Sequence, residues 1–372
     1  MEQNFLNKII INLKNIEYNL ERIKEHTKGT KILLPVKADA YGHGIEEVVK
    51  YFKNSPLVDY FGVANIMEAS IIRKLNIEKP ILLLGTPTKE ELEMCIILNV
   101  NPTISTLENH EFYNQLVISY GKYIPEAHIK VDTGMHRHGL YPEQVLEVIK
   151  TAKYKIGGVY THFATADDYD MTFFLNQKGE FYSIVSEIKD MGKDDIIFHC
   201  ANSAALLKDE TTFFDMVRPG ISSYGYYPSE MFREFIELKP ALSLETTLIG
   251  IKEIKRGDYV SYGLTWQAED DTYIGILPIG YGDGIFRILT NKWKVLIRDT
   301  IVPIIGTVCM DQIIINLNGI EDKVKVGDKV KIIDGEYDWS LSVENMAKQA
   351  LTIPYEITTH LKDIRSEKIY IK

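Results

Sequence analysis

Eight short apolar runs between residues 31 and 220, separated by stretches with a helical repeat, constrain this chain more than any other feature. The runs are KILLPVK, YFGVAN, ILLLGT, PTIST, HIKVDT, GGVYTHF, IIFHCAN and DMVRPG, each about the length of a strand. Between them, IEEVVKYFK, EELEMCIILN, EQVLEVIKTAK and FYSIVSEIKDM repeat apolar residues at three and four, as one face of a helix requires. Eight strand-helix units over roughly 225 residues match a parallel (β/α)8 barrel, a fold that typically closes in ~250 residues. An open doubly wound sheet is the alternative. It normally carries a GxGxxG turn after an early strand, a pattern that AYGHG does not fit.

After about residue 236 the pattern changes. ALSLETTLIGIKEI, TYIGILPIGYG, KWKVLIR, TIVPIIGTV and KVKIIDG are short β-rich runs broken by Gly, Asp and Asn, followed by a helical pattern, SVENMAKQAL, and a last strand, KIYIK. The expected organisation is an α/β, TIM-like barrel over residues 10–235 and a mostly β domain over residues 236–372, joined by an opening strand at residues 1–9. With 372 residues, 45% of them hydrophobic, the chain can bury cores of this size. A formal net charge of -10 and a pI near 5.5 give no basic footprint for nucleic acid or a membrane surface, so neither is expected as a partner. No basic segment leads into a long apolar run at the N-terminus, and no run reaches the ~18 residues that span a bilayer, so a cytoplasmic location is expected. Cys95, Cys200 and Cys309 are far apart and lack CxxC spacing, which predicts neither a disulfide framework nor a metal site.

A barrel places its chemistry at the C-terminal ends of its strands. The unusual polar residues fall there: Lys37 ends the first run, Asp132 and Arg137 follow the fifth, and His162 ends the sixth. His199 to Ser203 end the seventh run and Arg218 to Gly220 the eighth. Singly, a histidine at such a place reads as a satisfied core residue and an arginine as a solvated one; together they mark one face. Ser203 and the backbone N–H groups of Gly220 and Ile221 follow the last two runs, where barrel enzymes often bind phosphate. Ser203 also reads as a plain N-terminal residue of the helix AALLKDE. A lysine facing a phosphate site suggests a Schiff-base lysine holding pyridoxal 5'-phosphate, with Tyr41 reaching the phosphate and Gly42 and Gly44 allowing a tight turn. The plain alternative for Lys37 is a surface lysine whose stem packs on apolar groups.

The motifs PVKADAYGHG, HIKVDTGMHRHGL, THFATADD, HCANSAA, VRPGISSYG, SYGLTW, IGYGDG, IGTVCMDQ and IPYEI, taken in order, resemble those of the alanine racemases nearly end to end. The resemblance implies a pyridoxal-phosphate barrel followed by a β domain, interconversion of L- and D-alanine, and supply of D-alanine for peptidoglycan. It implies that Lys37 bears the cofactor, that Tyr41, Ser203, Gly220, Ile221 and Tyr355 hold its phosphate, and that Arg218 faces its pyridine nitrogen. An arginine does not give up its proton, so that nitrogen would stay unprotonated and the ring would be a weaker electron sink. Fast reprotonation then calls for a group already in place on each face of Cα. In the family these match Lys37 on the D-face and Tyr262 on the L-face. The resemblance further implies that Tyr262 enters from a partner subunit, giving a homodimer with shared active sites. His162, bonded to Arg218, would favour the phenolate of Tyr262, a group whose unperturbed pKa is about 10. Arg137 and the Met310 backbone amide would bind the substrate carboxylate, while Asp311 and Arg287 would stand at the entrance, where solvated surface charge is an equal reading.

In HIKVD, strand alternation puts His128, Lys130 and Asp132 on one side. A cation beside Arg137 needs an anion. The resemblance implies a carbamylated Lys130, and the alternative is an ion pair with Asp132. The chain departs from the family's commonest pattern at Ser261, where glycine is frequent, and at His136 and His138, which flank Arg137. Tyr355 favours alanine, since a smaller residue would leave room for the hydroxymethyl group of serine. A decarboxylase of the same architecture would place an acid rather than Arg218 at the pyridine nitrogen. A non-catalytic pyridoxal-phosphate carrier would lack the second domain and Tyr262.

Overall fold

The computed structural model describes residues 5–372; residues 1–4 of the expected opening strand lie outside that range. Strand β1 (Asn7–Asn12) and the helix Leu13–His26 precede the barrel. All eight expected barrel strands follow: β2 (Lys31–Pro35), β3 (Tyr60–Val63), β4 (Ile81–Leu83), β5 (Thr103–Ile104), β6 (Ala127–Lys130), β7 (Ile156–Tyr160), β8 (Ile197–His199) and β9 (Met216–Val217). They pair in parallel in two arrays, β4-β3-β2-β9 and β5-β6-β7-β8. The arrays are stitched together on both sides. Leu82 bridges Asn101, and the N–H groups of Asp215 and Arg218 donate to the carbonyls of Phe198 and Ala201 at 3.1 and 2.9 Å. Parallel strands covered on both faces read as unbroken apolar runs, and Ile32, Leu33, Leu34, Phe61 and Leu82 are accordingly fully buried.

Helix starts are written locally. The Asn12 side-chain oxygen accepts from the Lys14 and Asn15 N–H groups at 3.1 and 3.3 Å. Thr88 and Glu91 cap the helix Lys89–Ile97 reciprocally, and a cap of this kind is worth ~1 kcal/mol.

From residue 242 the chain turns to β structure: β10 (Leu242–Thr247), β11 (Gly250–Ile254), β12 (Tyr259–Val260), β13 (Trp266–Gln267), β14 (Thr272–Leu277), β15 (Lys294–Ile297), β16 (Thr300–Pro303), β17 (Ile313–Asn316), β18 (Lys329–Ile333) and β19 (Ser366–Ile371). A six-stranded sheet runs β16-β15-β18-β10-β1-β19, beside a three-stranded sheet β11-β14-β17 and the pair β12-β13. β1 lies antiparallel to β10 and parallel to β19. The helices Val343–Ala350 and Pro354–His360 sit between β18 and β19 in sequence. One continuous apolar core joins the barrel to these elements. The connection is pinned by Asn19, whose amide donates to the Ser223 and Lys239 carbonyls at 3.2 and 2.9 Å. No helix among the described residues is long and apolar enough to cross a membrane.

Candidate active site

Lys37 lies two residues beyond the end of β2, where the backbone does something the sequence does not announce. Ala38, Asp39, Ala40 and Tyr41 follow one another in the left-handed region, with φ from 52° to 57°. Each non-glycine residue there costs roughly 1–2 kcal/mol, so the turn needs support from outside itself. The Ala38 N–H donates to Glu68 Oε1 at 2.8 Å, and the Asp39 carboxylate accepts from the Ile45 N–H at 2.8 Å. Asp39 also pairs with Lys368 of β19. Gly42 and Gly44, at φ 84° and 89°, close the turn against the rest of the molecule. A Cβ on Gly42 would fall 2.1 Å from the Thr358 carbonyl oxygen, so no other residue fits without moving that helix.

The turn delivers Lys37 to a cavity of about 570 Å³ at the C-terminal ends of the barrel strands. Tyr41, Lys130, Arg137 and His162 line it from the first to the sixth strand ends, and Ser203, Arg218, Gly220 and Tyr355 complete the wall. Four of the lining groups are cationic, Lys37, Lys130, Arg137 and Arg218, against the single carboxylate of Glu356. Such a site favours anionic ligands.

Arg218, 5% exposed, is held by the carbonyls of Thr161, His199 and Cys200 at 2.7, 2.9 and 3.2 Å and by His199 Nδ1 at 2.8 Å. An arginine only donates, so His199 accepts at Nδ1 and carries its proton on Nε2, which donates to His128 Nδ1 at 2.9 Å. Both rings are neutral in that chain. Burial, with the Arg218 charge adding to it, drives His199 well below the ordinary imidazole range and His128 down to about 3. His162, whose Nδ1 is 3.5 Å from Arg218, is pushed down by the same two causes.

Burial, then the neighbouring Arg137, lowers Lys37, which enriches the unprotonated, nucleophilic amine. The same causes bring Lys130 down to about 7. At the phosphate end, a Cβ on Gly220 would sit 2.7 Å from the Tyr41 hydroxyl oxygen, while Ser203 Oγ accepts from the Ser222 N–H at 3.2 Å. Tyr41, Ser203 and Gly220 thus enclose a cradle that any side chain at position 220 would fill.

Several expectations change on contact with the structure. The Lys130–Asp132 ion pair does not form. β6 ends at Lys130, so strand alternation stops before Asp132, whose carboxylate accepts from the Gly134 and His136 N–H groups, both at 3.0 Å. Lys130 Nζ instead lies 3.0 Å from His138 Nε2, and His138 is lowered to about 4 by burial and by that ammonium. The cap of the helix Ser203–Lys208 is Asn202, whose side chain accepts from the Ala205 N–H at 3.0 Å; Ser203 is the first helical residue. Ile221 is fully buried, and its side chain is not part of the cavity wall.

Tyr262, Met310, Asp311 and Arg287 are not brought to the cavity within one chain. They are exposed on the β domain, Tyr262 by 71% and Met310 by 60%. The segment carrying Tyr262 is nevertheless fixed. Ser261 adopts φ 65°, ψ -173°, a conformation suited to glycine, and is tied down by donation from its Oγ to the Thr307 carbonyl at 2.7 Å. Thr307 Oγ1 in turn donates to the Tyr262 carbonyl at 2.6 Å.

Sequence reasoning missed Tyr160. Its ring lies 5.2 Å from the Arg218 guanidinium and stacks on His199 at 4.8 Å. The signal was there, since alternation in GGVYTHF puts Tyr160 and His162 on one side. Glu68 and Glu356 carried no comparable signal. Among the described residues no group of three His, Cys, Asp or Glu side chains is placed to hold a metal ion.

Comparison with known proteins accounts for this architecture. Sequence profiles of the alanine racemase N-terminal and C-terminal domains match residues 11–228 and 241–370. The alanine racemase of Treponema denticola is 38% identical over 377 residues, covering 98% of each chain. The solved alanine racemase of Clostridium difficile 630 superposes with a TM-score of 0.89 at 34% identity, covering 100% of this chain and 97% of its own. That of Bacillus anthracis, determined with bound L-Ala-P, superposes with a TM-score of 0.88 at 32% identity, covering 100% and 96%. Both halves of the fold are matched in order along the whole length, and the chain belongs to the alanine racemase family.

Proposed function

We propose that the chain interconverts L- and D-alanine with pyridoxal 5'-phosphate at the barrel mouth, as a homodimer whose active sites are shared between subunits. The observation that carries this reading is the convergence of Lys37 with Tyr41, Ser203 and Gly220 on a cavity where four basic side chains face one carboxylate. A phosphate dianion fits the cradle between Tyr41 and Gly220, with Ile221 supplying a backbone N–H and Tyr355 closing the side. When bound, the cofactor supplies an aldehyde for a lysine amine and an electron-withdrawing ring that stabilises negative charge at the substrate Cα.

The chain's own residues do the rest. Lys37 would hold the cofactor, and its amine would move a proton at the substrate Cα on the D-face. The Arg218 guanidinium is fixed by three carbonyls and His199, and at the ring nitrogen of a bound cofactor it would keep its proton rather than give it up. Arg137 and the Met310 amide take the substrate carboxylate. Tyr262 of the second subunit moves the proton on the L-face, with neutral His162 near its hydroxyl, and Asp311 and Arg287 flank the entrance. Tyr355 narrows the side-chain space toward alanine rather than serine. The exposure of Tyr262 and Met310 on the β domain supports a shared site, because neither reaches the cavity of its own chain.

Lys130 is proposed to carry a carbamate. Only an unprotonated amine adds carbon dioxide, and burial holding this lysine at about 7 leaves roughly half in that form at neutral pH. The product replaces a cation beside Arg137 with an anion. Labelling with 13C-bicarbonate should give a carbamate resonance that Lys130→Met removes. We attach to the enzyme a cytoplasmic supply of D-alanine for peptidoglycan, and a division into a barrel and a β domain meeting near residue 236, with the opening strand β1 (Asn7–Asn12) joining the β domain.

The test is incubation with L-alanine in deuterated water. D-alanine carrying deuterium at Cα, lost in Lys37→Ala and in Tyr262→Phe, is the expected result. Release of carbon dioxide, or cofactor binding with no change in alanine, would overturn it.

A further inference from the structure

The left-handed turn after Lys37 is gripped by alternate residues of one distant strand. Lys368 and Tyr370 share a face of β19 by the two-residue repeat, and Lys372 follows directly after the strand's last residue. Lys368 Nζ pairs with Asp39, the second residue of the turn. The Tyr370 hydroxyl lies where a Cβ on Gly44 would be, at the turn's end. Lys372 Nζ donates to Glu47 Oε2 at 2.8 Å, one helical turn further on. Of the three contacts, only that of Lys368 reaches the run of non-glycine left-handed residues, Ala38 to Tyr41.

Asp39 is the hub of the turn. Its Oδ1 accepts from the Ile45 N–H at 2.8 Å, its carbonyl accepts from the Gly44 N–H at 2.8 Å, and its Oδ2 meets Lys368. Lys368 is committed to the contact: its side chain is 12% exposed against 48% for Asp39, and its other carboxylate, Asp363, is 3.8 Å away. The turn begins at Lys37 and ends at Tyr41, so a change in its pitch moves both groups at once.

We propose that Lys368 is a positioning residue for the reaction, clamping the left-handed turn through Asp39 and so setting where the Lys37 amine and the Tyr41 hydroxyl meet the cavity. The inference rests on Lys37 being the cofactor lysine. It differs from a stabilising role in what it predicts, because a strand clasp that only held the fold would alter melting and leave chemistry intact.

The experiment compares Lys368→Met, Lys368→Arg and Lys372→Met in the cofactor-loaded full chain. It reads kcat and KM, the pH titration of the lysine–cofactor absorbance, and amide hydrogen exchange over residues 38–44. Misplacement of a reacting group by about 1 Å costs roughly 100-fold, so Lys368→Met should lower kcat roughly 10- to 100-fold with little change in KM. It should also shift the absorbance titration and speed exchange in the turn. Lys368→Arg should restore most of the rate, and Lys372→Met, which breaks a more exposed pair off the turn, should stay within about twofold of the parent. Wild-type kcat and absorbance titration in Lys368→Met would overturn the proposal, as would a loss that arginine fails to rescue and Lys372→Met reproduces. Should the parent chain not racemise alanine, the exchange and absorbance readings still decide whether the clamp exists.

Discussion

The barrel mouth keeps its polar groups inside, with Lys130, His128, His199 and Arg218 all at most 5% exposed, whereas Tyr262, Leu264 and Met310 on the β domain are each at least 60% exposed. The two regions are equally well held by hydrogen bonds. They differ in what they lack. The cavity has too many cations for its carboxylates and is completed by anions. The Tyr262 face has fixed backbone and outward apolar side chains, which suits it to the protein surface that the proposed homodimer would bring. On the proposed function, one chain carries the cofactor cavity and, pointing away from it, the residues that would complete its partner's site.

The largest expected effect comes from the cavity side. Lys37→Ala should reduce racemisation by roughly 10⁴-fold or more and abolish the lysine–cofactor absorbance. Tyr262→Phe should cost about 10²- to 10⁴-fold in kcat, the range for a lost acid–base group, while cofactor absorbance is unchanged. Mixing and refolding these two inactive variants sharpens the comparison further. A heterodimer with shared sites contains one site with both groups intact, so activity should return; continued inactivity of verified heterodimers would place both groups in the same chain.

A smaller effect is expected at Leu264→Asp, which puts a charge on the exposed face without touching the cavity. Activity should fall about tenfold at low protein concentration and recover as concentration rises, as mass action on a weakened interface requires. Analytical ultracentrifugation checks it.

The smallest effect is in stability. Lys130 is depressed to about 7 in the fold, so it is charged in both states below that value and its buried charge costs most there. Between about 7 and its unfolded value the folded chain sheds the proton first, and stability rises with pH. In buffer freed of carbon dioxide, where no carbamate forms, Lys130→Met should therefore be more stable by about 1–3 kcal/mol below pH 7, with the gain shrinking toward pH 10. A gain independent of pH would mean that Lys130 is not charged in the fold.

The barrel was legible because strands buried on both faces leave unbroken apolar runs, and all eight could be read from KILLPVK to DMVRPG. Their ends were less legible, and the errors cluster there. Asp132 was assigned to the side of Lys130 by an alternation that ends one residue too soon, and the carboxylate is captured by its own loop N–H groups. After β8 the helix does begin at Ser203, and what the run IIFHCAN hides is that its last residue, Asn202, is the cap. The left-handed run Ala38–Tyr41 could not be read at all, because alanine, aspartate and tyrosine favour other conformations and the contacts that overrule them come from Glu68, Thr358 and Lys368. Tyr262 is singled out by family resemblance alone; nothing in the residues around it separates it from any exposed surface tyrosine.

The place of β1 between β10 and β19 carries a consequence for how the molecule is made. β1 leaves the ribosome well before its partner on one side, Ser366–Ile371, which is about 350 residues behind it. At ~5–20 residues per second the wait is roughly 20–70 s. Throughout that time NKIIIN offers an open, apolar strand edge to any other nascent chain. The barrel strands need only each other and can close before then. The enzyme's most exposed moment thus belongs to its oldest segment, and holding β1 back from neighbours on the same message is a demand that this topology places on the cell.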